Sequence, residues 1–205
     1  MVKIKRFWSL FLIFLILSHT ANASDKPIFS FGCRVGASFP HNPKVEEGPY
    51  FEIPMAVRIF HNLWFETRVL FLTSPDIDTG EYQIGHVEIW AAEFSLLYQF
   101  QFKKIFGENF FISPCIGTGY YSPKMDVSKW WQYLKYPVVI EPDSEAGFHC
   151  GIDFEYFINK HTAISFYPRF LYLVVDYEAH GAEKVLKGKA KFTGGLLSMG
   201  IKFYF

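Results

Sequence analysis

Arg34, Glu52, Arg58, Glu66, Arg68, Glu93, Asp153, Glu155, Arg169 and Lys202 share one setting: each lies in a run of alternating apolar residues, on the opposite parity from them. Successive side chains of a strand point to opposite faces, so these charges occupy the face that the apolar residues leave. Asp153 and Glu155 stand two residues apart on that face, the arrangement that lets paired carboxylates divide acid and base roles in a cleft. Basic side chains match the acidic ones on the same parity, however, and His149 joins them. That balance points to mutual neutralisation rather than to proton transfer.

Other chemistry finds little support. An acyl-hydrolysing site needs a serine within reach of a histidine that a carboxylate orients. His86 with Glu88, and His180 with Glu178, have no serine two residues away. Cys33, Cys115 and Cys150 are odd in number and sit inside alternating stretches, and neither Cys-x-x-Cys nor paired-histidine spacing occurs. No catalytic residue, metal ligand or cofactor is assigned.

The elements that position these charges are strands. In Phe192 to Phe205, Leu197, Met199, Ile201, Phe203 and Phe205 share one parity, while Ser198, Gly200, Lys202 and Tyr204 share the other. The same alternation recurs from Phe29, Phe51, Leu63, Trp90, Phe110, Phe148 and Ile164, which makes eight strands of about ten residues, the length that crosses a bilayer at a tilt. Tyr167 and Tyr204 fall on the charged face. Connections alternate in length: Phe60 to Asn62, Lys103 to Glu108 and Asn159 to His161 are short, whereas Pro40 to Gly48, Ser74 to Gly85, Ser122 to Asp143 and Glu178 to Lys191 are long. A three-residue turn at Phe60 pairs Ile59 with Leu63 and sets Arg58 diagonal to Glu66; a like turn at Asn159 sets Asp153 diagonal to Arg169. Pro54 and Pro114 interrupt strands and are expected to mark bulges.

Residues 1–23 combine a basic start (Lys3, Lys5, Arg6), an apolar run from Phe7 to Leu17 and a small-residue site, Ala21-Asn22-Ala23, so a cleaved signal peptide is expected, followed by one domain, 24–205. The run is too short for a spanning helix, which needs about 20 residues. The leader holds three basic and no acidic side chains, so the remainder has three more acidic than basic groups, which argues against nucleic-acid binding. The 20% aromatic content suits a surface that meets lipid.

Over the whole region 24–205 the sequence resembles the small eight-stranded outer-membrane barrels of the OmpA, OmpX and OmpW kind. The residues that carry the likeness are the opening Gly32-Cys33-Arg34-Val35-Gly36, the final Gly200 to Phe205 and the loop rhythm. It implies an all-β, antiparallel, up-and-down transmembrane barrel, monomeric, in the bacterial outer membrane, with a periplasmic amino terminus. Lipid, lipopolysaccharide and the barrel-assembly machinery are the implied partners. A structural or surface-interacting role is expected first, OmpW-like passage of small hydrophobic molecules second, and lipid A modification third. Trp130, Trp131 and Leu134 in the third long connection are the candidate external binding residues. Phe203 and Phe205 are the candidate assembly signal. Deleting Phe205 is expected to cut the amount of folded protein reaching the membrane, measured by heat-modifiable mobility on cold gels, while deleting a residue from a long connection leaves it unchanged.

Overall fold

The computed structural model describes residues 27–41, 47–74, 85–127, 139–180 and 185–205; the expected leader and the candidate residues Trp130, Trp131 and Leu134 lie outside them. Among the described residues twelve strands run in chain order: β1 (Phe29–Pro40), β2 (Gly48–Phe60), β3 (Leu63–Ser74), β4 (Gly85–Tyr98), β5 (Phe100–Gln101), β6 (Phe110–Val127), β7 (Val139–Pro142), β8 (Glu145–Asn159), β9 (Thr162–Tyr172), β10 (Val174–His180), β11 (Val185–Lys191) and β12 (Gly194–Tyr204). Each neighbouring pair is antiparallel, and β1 closes on β12 while β4 closes on β6. Because β5 continues β4 as one stave, the closed sheet is an eight-stave barrel with no free edge.

The alternation read from the sequence sets the two faces. Phe31, Val35, Phe94, Ile116, Phe148, Phe170, Met199 and Ile201 point outward and are exposed, in a belt that runs around the barrel. An apolar surface of that extent suits lipid, not water. The inward parity of the same strands holds the buried polar and charged residues.

Glycine makes that interior possible by standing opposite the bulkiest inward side chains. Gly200 is the register partner of Arg34, Gly32 of Lys202, Gly151 of Arg169 and Gly117 of His149. A Cβ on Gly200 would lie 2.7 Å from the Arg34 Cα and 2.8 Å from its Cγ; one on Gly32 would lie 3.0 Å from the Lys202 Cγ. The glycines are spaces that long side chains fill.

Several local expectations need correction. Ile59 does not pair with Leu63: Phe60 does, and the register shifts between Arg58 and Phe60. Neither Pro54 nor Pro114 shifts its register, since Pro54 faces Arg68 and Pro114 faces Ile152 in unbroken ladders. The irregularities fall beside the short turns, at Arg58/Phe60 and Phe157/Asn159. The prolines act on their other side, where the missing N–H removes rungs. The β1–β2 ladder skips from Phe31↔Met55 to Arg34↔Glu52 at Pro54, and β4 breaks from β5 opposite Pro114. Pro168 leaves the same kind of gap between β8 and β9.

Two of the long connections are also partly regular. β10 and β11 extend staves β9 and β12 past the barrel and pair with β7 in a three-stranded sheet, so Glu178 to Lys191 is largely a hairpin. β6 likewise runs to Val127, into the connection that starts at Ser122. Lys189 pairs with Asp176 at 2.9 Å and Lys187 with Glu178 on this exposed sheet, and each hydrogen bond pushes the ammonium above its usual pKa.

Gly200→Leu is expected to destabilise the barrel by about 1–3 kcal/mol or more, because its Cβ would run into the Cys33 carbonyl oxygen and the Arg34 backbone as well as the Arg34 side chain. Gly195→Ala serves as the comparison, because a Cβ there meets only the Phe39 Cβ, at 3.9 Å. Urea unfolding in lipid vesicles should therefore shift for the first and not for the second.

Candidate functional site: a charged lumen beneath an apolar cup

Every stave except β6 sends a charged side chain into the middle of the barrel, and these side chains meet across the lumen. Arg34 reaches Glu52 at 3.1 Å, hydrogen-bonds Asp153 and donates from Nε to Ser165 Oγ at 2.8 Å. Arg68 meets Glu93 at 2.8 Å and also pairs with Glu66. Arg169 lies 3.2 Å from Glu52 and pairs with Glu93 as well. The Lys202 ammonium gathers three carboxylates: Asp153 at 2.6 Å, Glu155 at 2.8 Å and Glu66 at 3.3 Å. All of these side chains are buried.

Neutral groups complete the set. Tyr121 donates to Glu93 at 2.7 Å, Tyr204 to Glu155 at 2.6 Å, Ser198 to Glu52 at 2.9 Å and Ser165 to Asp153 at 2.7 Å. The Arg34 and Arg68 guanidinium carbons each stand 4.7 Å from the centroid of the Tyr167 ring. A buried charge is tolerated when its partners and remaining hydrogen bonds are supplied, and nearly every carboxylate here has both.

The sequence grouped these residues correctly by face and incorrectly by partner. Asp153 is diagonal to Arg169 across β8 and β9 but takes Arg34, Lys202 and Ser165, while Arg169 takes Glu52 and Glu93. In so narrow a barrel the far wall is as close as the neighbouring stave. Arg58 stands apart from the centre: it is half-buried and lines the short-turn mouth with His61 and Gln99. Phe203 and Phe205 face outward, and Phe205 is tied in by its backbone, its N–H donating to the Phe29 carbonyl at 2.9 Å. The side chains of His86 and His180 lie outside the described residues.

One constellation resembles a hydrolase and is not placed to act as one. Ser95 Oγ and His149 Nε2 are 2.7 Å apart, and His149 Nδ1 lies 4.0 Å from Glu93. The serine, the histidine and the glutamate are all buried, and Glu93 is committed to Arg68, Arg169 and Tyr121. Ser95 and His149 are each 2% exposed, so the pair faces protein rather than solvent.

Sequence reasoning missed the layer above. Toward the long-connection end, inward positions become apolar: Leu70, Leu72, Val87, Ile89, Leu171, Leu173, Val175 and Leu196 form one buried cluster, with Phe192 packed against it. Leu72, Val87, Ile89, Leu171, Phe192 and Leu196 line a half-open cleft of about 30 Å³ there. The signal was available in Val69 to Leu72 and Leu171 to Val175, where both parities are apolar. Toward the short-turn end the lumen closes on Trp64, Tyr204 and Phe157, below which the mouth widens to about 630 Å³.

Closed eight-stave geometry, an outward apolar belt and a polar interior define the fold of the small outer-membrane barrels. The chain is similar in structure to the outer membrane protein OprG from Pseudomonas aeruginosa, with a TM-score of 0.73 over 88% of this chain and 97% of that one at 10% identity. It is similar also to Neisserial surface protein A, with a TM-score of 0.59 at 12% identity over 87% of this chain and 97% of that one. A third likeness is to the outer membrane protein AlkL, at 0.55 and 14% over 89% of this chain and 92% of that one. No family model and no curated protein matches the sequence.

Arg34→Ala strips Asp153 and Glu52 of a buried partner and is expected to cost about 3–5 kcal/mol. Arg58→Ala, at the half-exposed mouth, should cost under about 1 kcal/mol. Thermal unfolding in detergent reads both, and equal losses would place Arg58 in the central network.

Proposed function

We propose that the protein is a bacterial outer-membrane barrel, with its amino terminus and short turns in the periplasm, that admits a small apolar molecule to its long-connection cup without conducting ions. The apolar cup carries this reading. Inward positions of a water-filled lumen would be polar, yet here Leu72, Val87, Ile89, Leu171 and Leu196 turn hydrocarbon to the inside. Below them the charge layer blocks the axis. An apolar solute would have to desolvate those ion pairs to pass straight through, so its way out is sideways into lipid. The small residues Gly194 and Gly195, with Pro40 at the seam of β1 and β12, line the cup on that side.

The surface-interacting role remains the second reading, favoured by the three-stranded sheet that β7, β10 and β11 raise beyond the barrel. Among the described residues, lipid A modification has only the buried Ser95 and His149 pair to recommend it.

Ile89→Asp and Leu171→Asp place a charge in the cup and should reduce uptake of a small alkane-like solute into barrel-containing vesicles by at least about tenfold, since one buried unpaired charge outweighs the binding energy of a few methylenes. The native protein should show negligible conductance in planar bilayers. Unchanged uptake in both variants would leave the surface reading in place, and steady conductance would refute the blocked axis.

A further inference from the structure

We propose that the short-turn mouth is a saccharide-binding site. The mouth is a cup of about 630 Å³ whose floor is aromatic and whose walls are carboxamides. Phe157 is the centre of the floor: its ring is 5.1 Å from Phe111 edge-on and 4.8 Å from Tyr204, and Tyr204 in turn meets Trp64 at 5.8 Å. Phe111 and Phe157 are only half-buried and leave part of their surface to the cup. Around them stand Asn62, Gln99, Gln101, Asn109 and Asn159.

These carboxamides are held in place while keeping free hydrogen-bonding groups. Gln99 Nε2 donates to Glu155 at 2.9 Å and Gln101 Nε2 to the Glu108 carbonyl at 2.6 Å, which leaves both side-chain oxygens to the cup. Asn159 Oδ1 accepts from the His161 N–H at 2.8 Å and keeps its amino group. Asn62 and Asn109 are fixed through their backbone carbonyls, which accept from Gln99 and Phe157 at 2.8 Å each. A second observation points to a ligand. Trp64 is 5% exposed and lines both the cup and the small inner pocket beside Glu66, Glu155 and Lys202, and its buried Nε1–H has no hydrogen-bond partner. Buried indole donors ordinarily find an acceptor.

The chemistry that fits is a ring with hydroxyls on its edge and C–H groups on its face. Each hydroxyl both donates and accepts, as a carboxamide does, and the C–H face suits an aromatic ring. Arg58 and Lys160 on the rim outnumber Glu108 by one charge, so inorganic phosphate is the control that separates a saccharide site from an anion site.

The test is a titration of isotope-labelled, refolded protein in lipid nanodiscs with N,N′-diacetylchitobiose, followed by the Trp64 indole N–H resonance. A saturable shift is expected for Trp64 and none for Trp90, whose ring faces outward. Inorganic phosphate, which Arg58 and Lys160 would hold if the cup were an anion site, should leave Trp64 unmoved. The double variant Asn62→Leu, Asn109→Leu should weaken disaccharide binding about tenfold or more, since each removes one uncommitted hydrogen-bonding group, with an unchanged melting temperature. No saturable shift, a shift with phosphate in place of the disaccharide, or full binding by the double variant would each overturn the proposal.

Discussion

The structure depends on one constraint: a barrel of eight staves has an interior only wide enough for side chains, and this one fills it with charge. Nothing inside can be left unpaired at low cost, because stripping a carboxylate or guanidinium of water costs several kcal/mol unless partners replace it. The solution here is a single connected layer. Lys202 alone joins three carboxylates, and Tyr167 lies under three arginines, Arg34, Arg68 and Arg169, while its hydroxyl accepts from Arg68 at 3.2 Å. Four cations, Arg34, Arg68, Arg169 and Lys202, meet five carboxylates, with His149 beside Glu93.

That layer divides the molecule. Above it the inward positions can be hydrocarbon, since the charges below already hold the staves in register and the cup need only exclude water. Beneath it the aromatic floor of Trp64, Tyr204 and Phe157 separates the ion pairs from an open polar mouth. A solute in the cup and one in the mouth would thus belong to different chemical classes, and neither would pass the middle. The glycines opposite Arg34, Lys202, Arg169 and His149 tie the same layer to the sheet itself, because the space for each long side chain is written into its facing stave.

Much of this was legible in the sequence. Parity alone separated the lipid face from the lumen and assigned all the central charges to the inside, because a strand's period of two leaves no freedom. Partner choice was not legible: diagonal neighbours on adjacent staves are a rule for open sheets, and Asp153 ignores Arg169 because Arg34 and Lys202 reach it across the lumen. The cup escaped notice for the opposite reason. Where Leu70 and Leu72 point in and Val69 and Phe71 point out, both faces are apolar and alternation carries no contrast. Prolines misled in a third way, since Pro54 and Pro114 remove rungs on one side while keeping register on the other.

Whether the charge layer holds together as one cross-lumen unit is most directly measured by a double-mutant cycle on Arg34 and Asp153, using Arg34→Met, Asp153→Leu and the pair, read by urea unfolding in lipid vesicles. Residues in one buried network couple by about 0.5–3 kcal/mol, whereas distant residues add to within about 0.5 kcal/mol. The cross-lumen pairing predicts that the double variant loses much less stability than the two single losses combined, by more than about 1 kcal/mol. Additive losses would mean that Arg34 and Asp153 do not meet, and that the lumen is not closed by the pairing described.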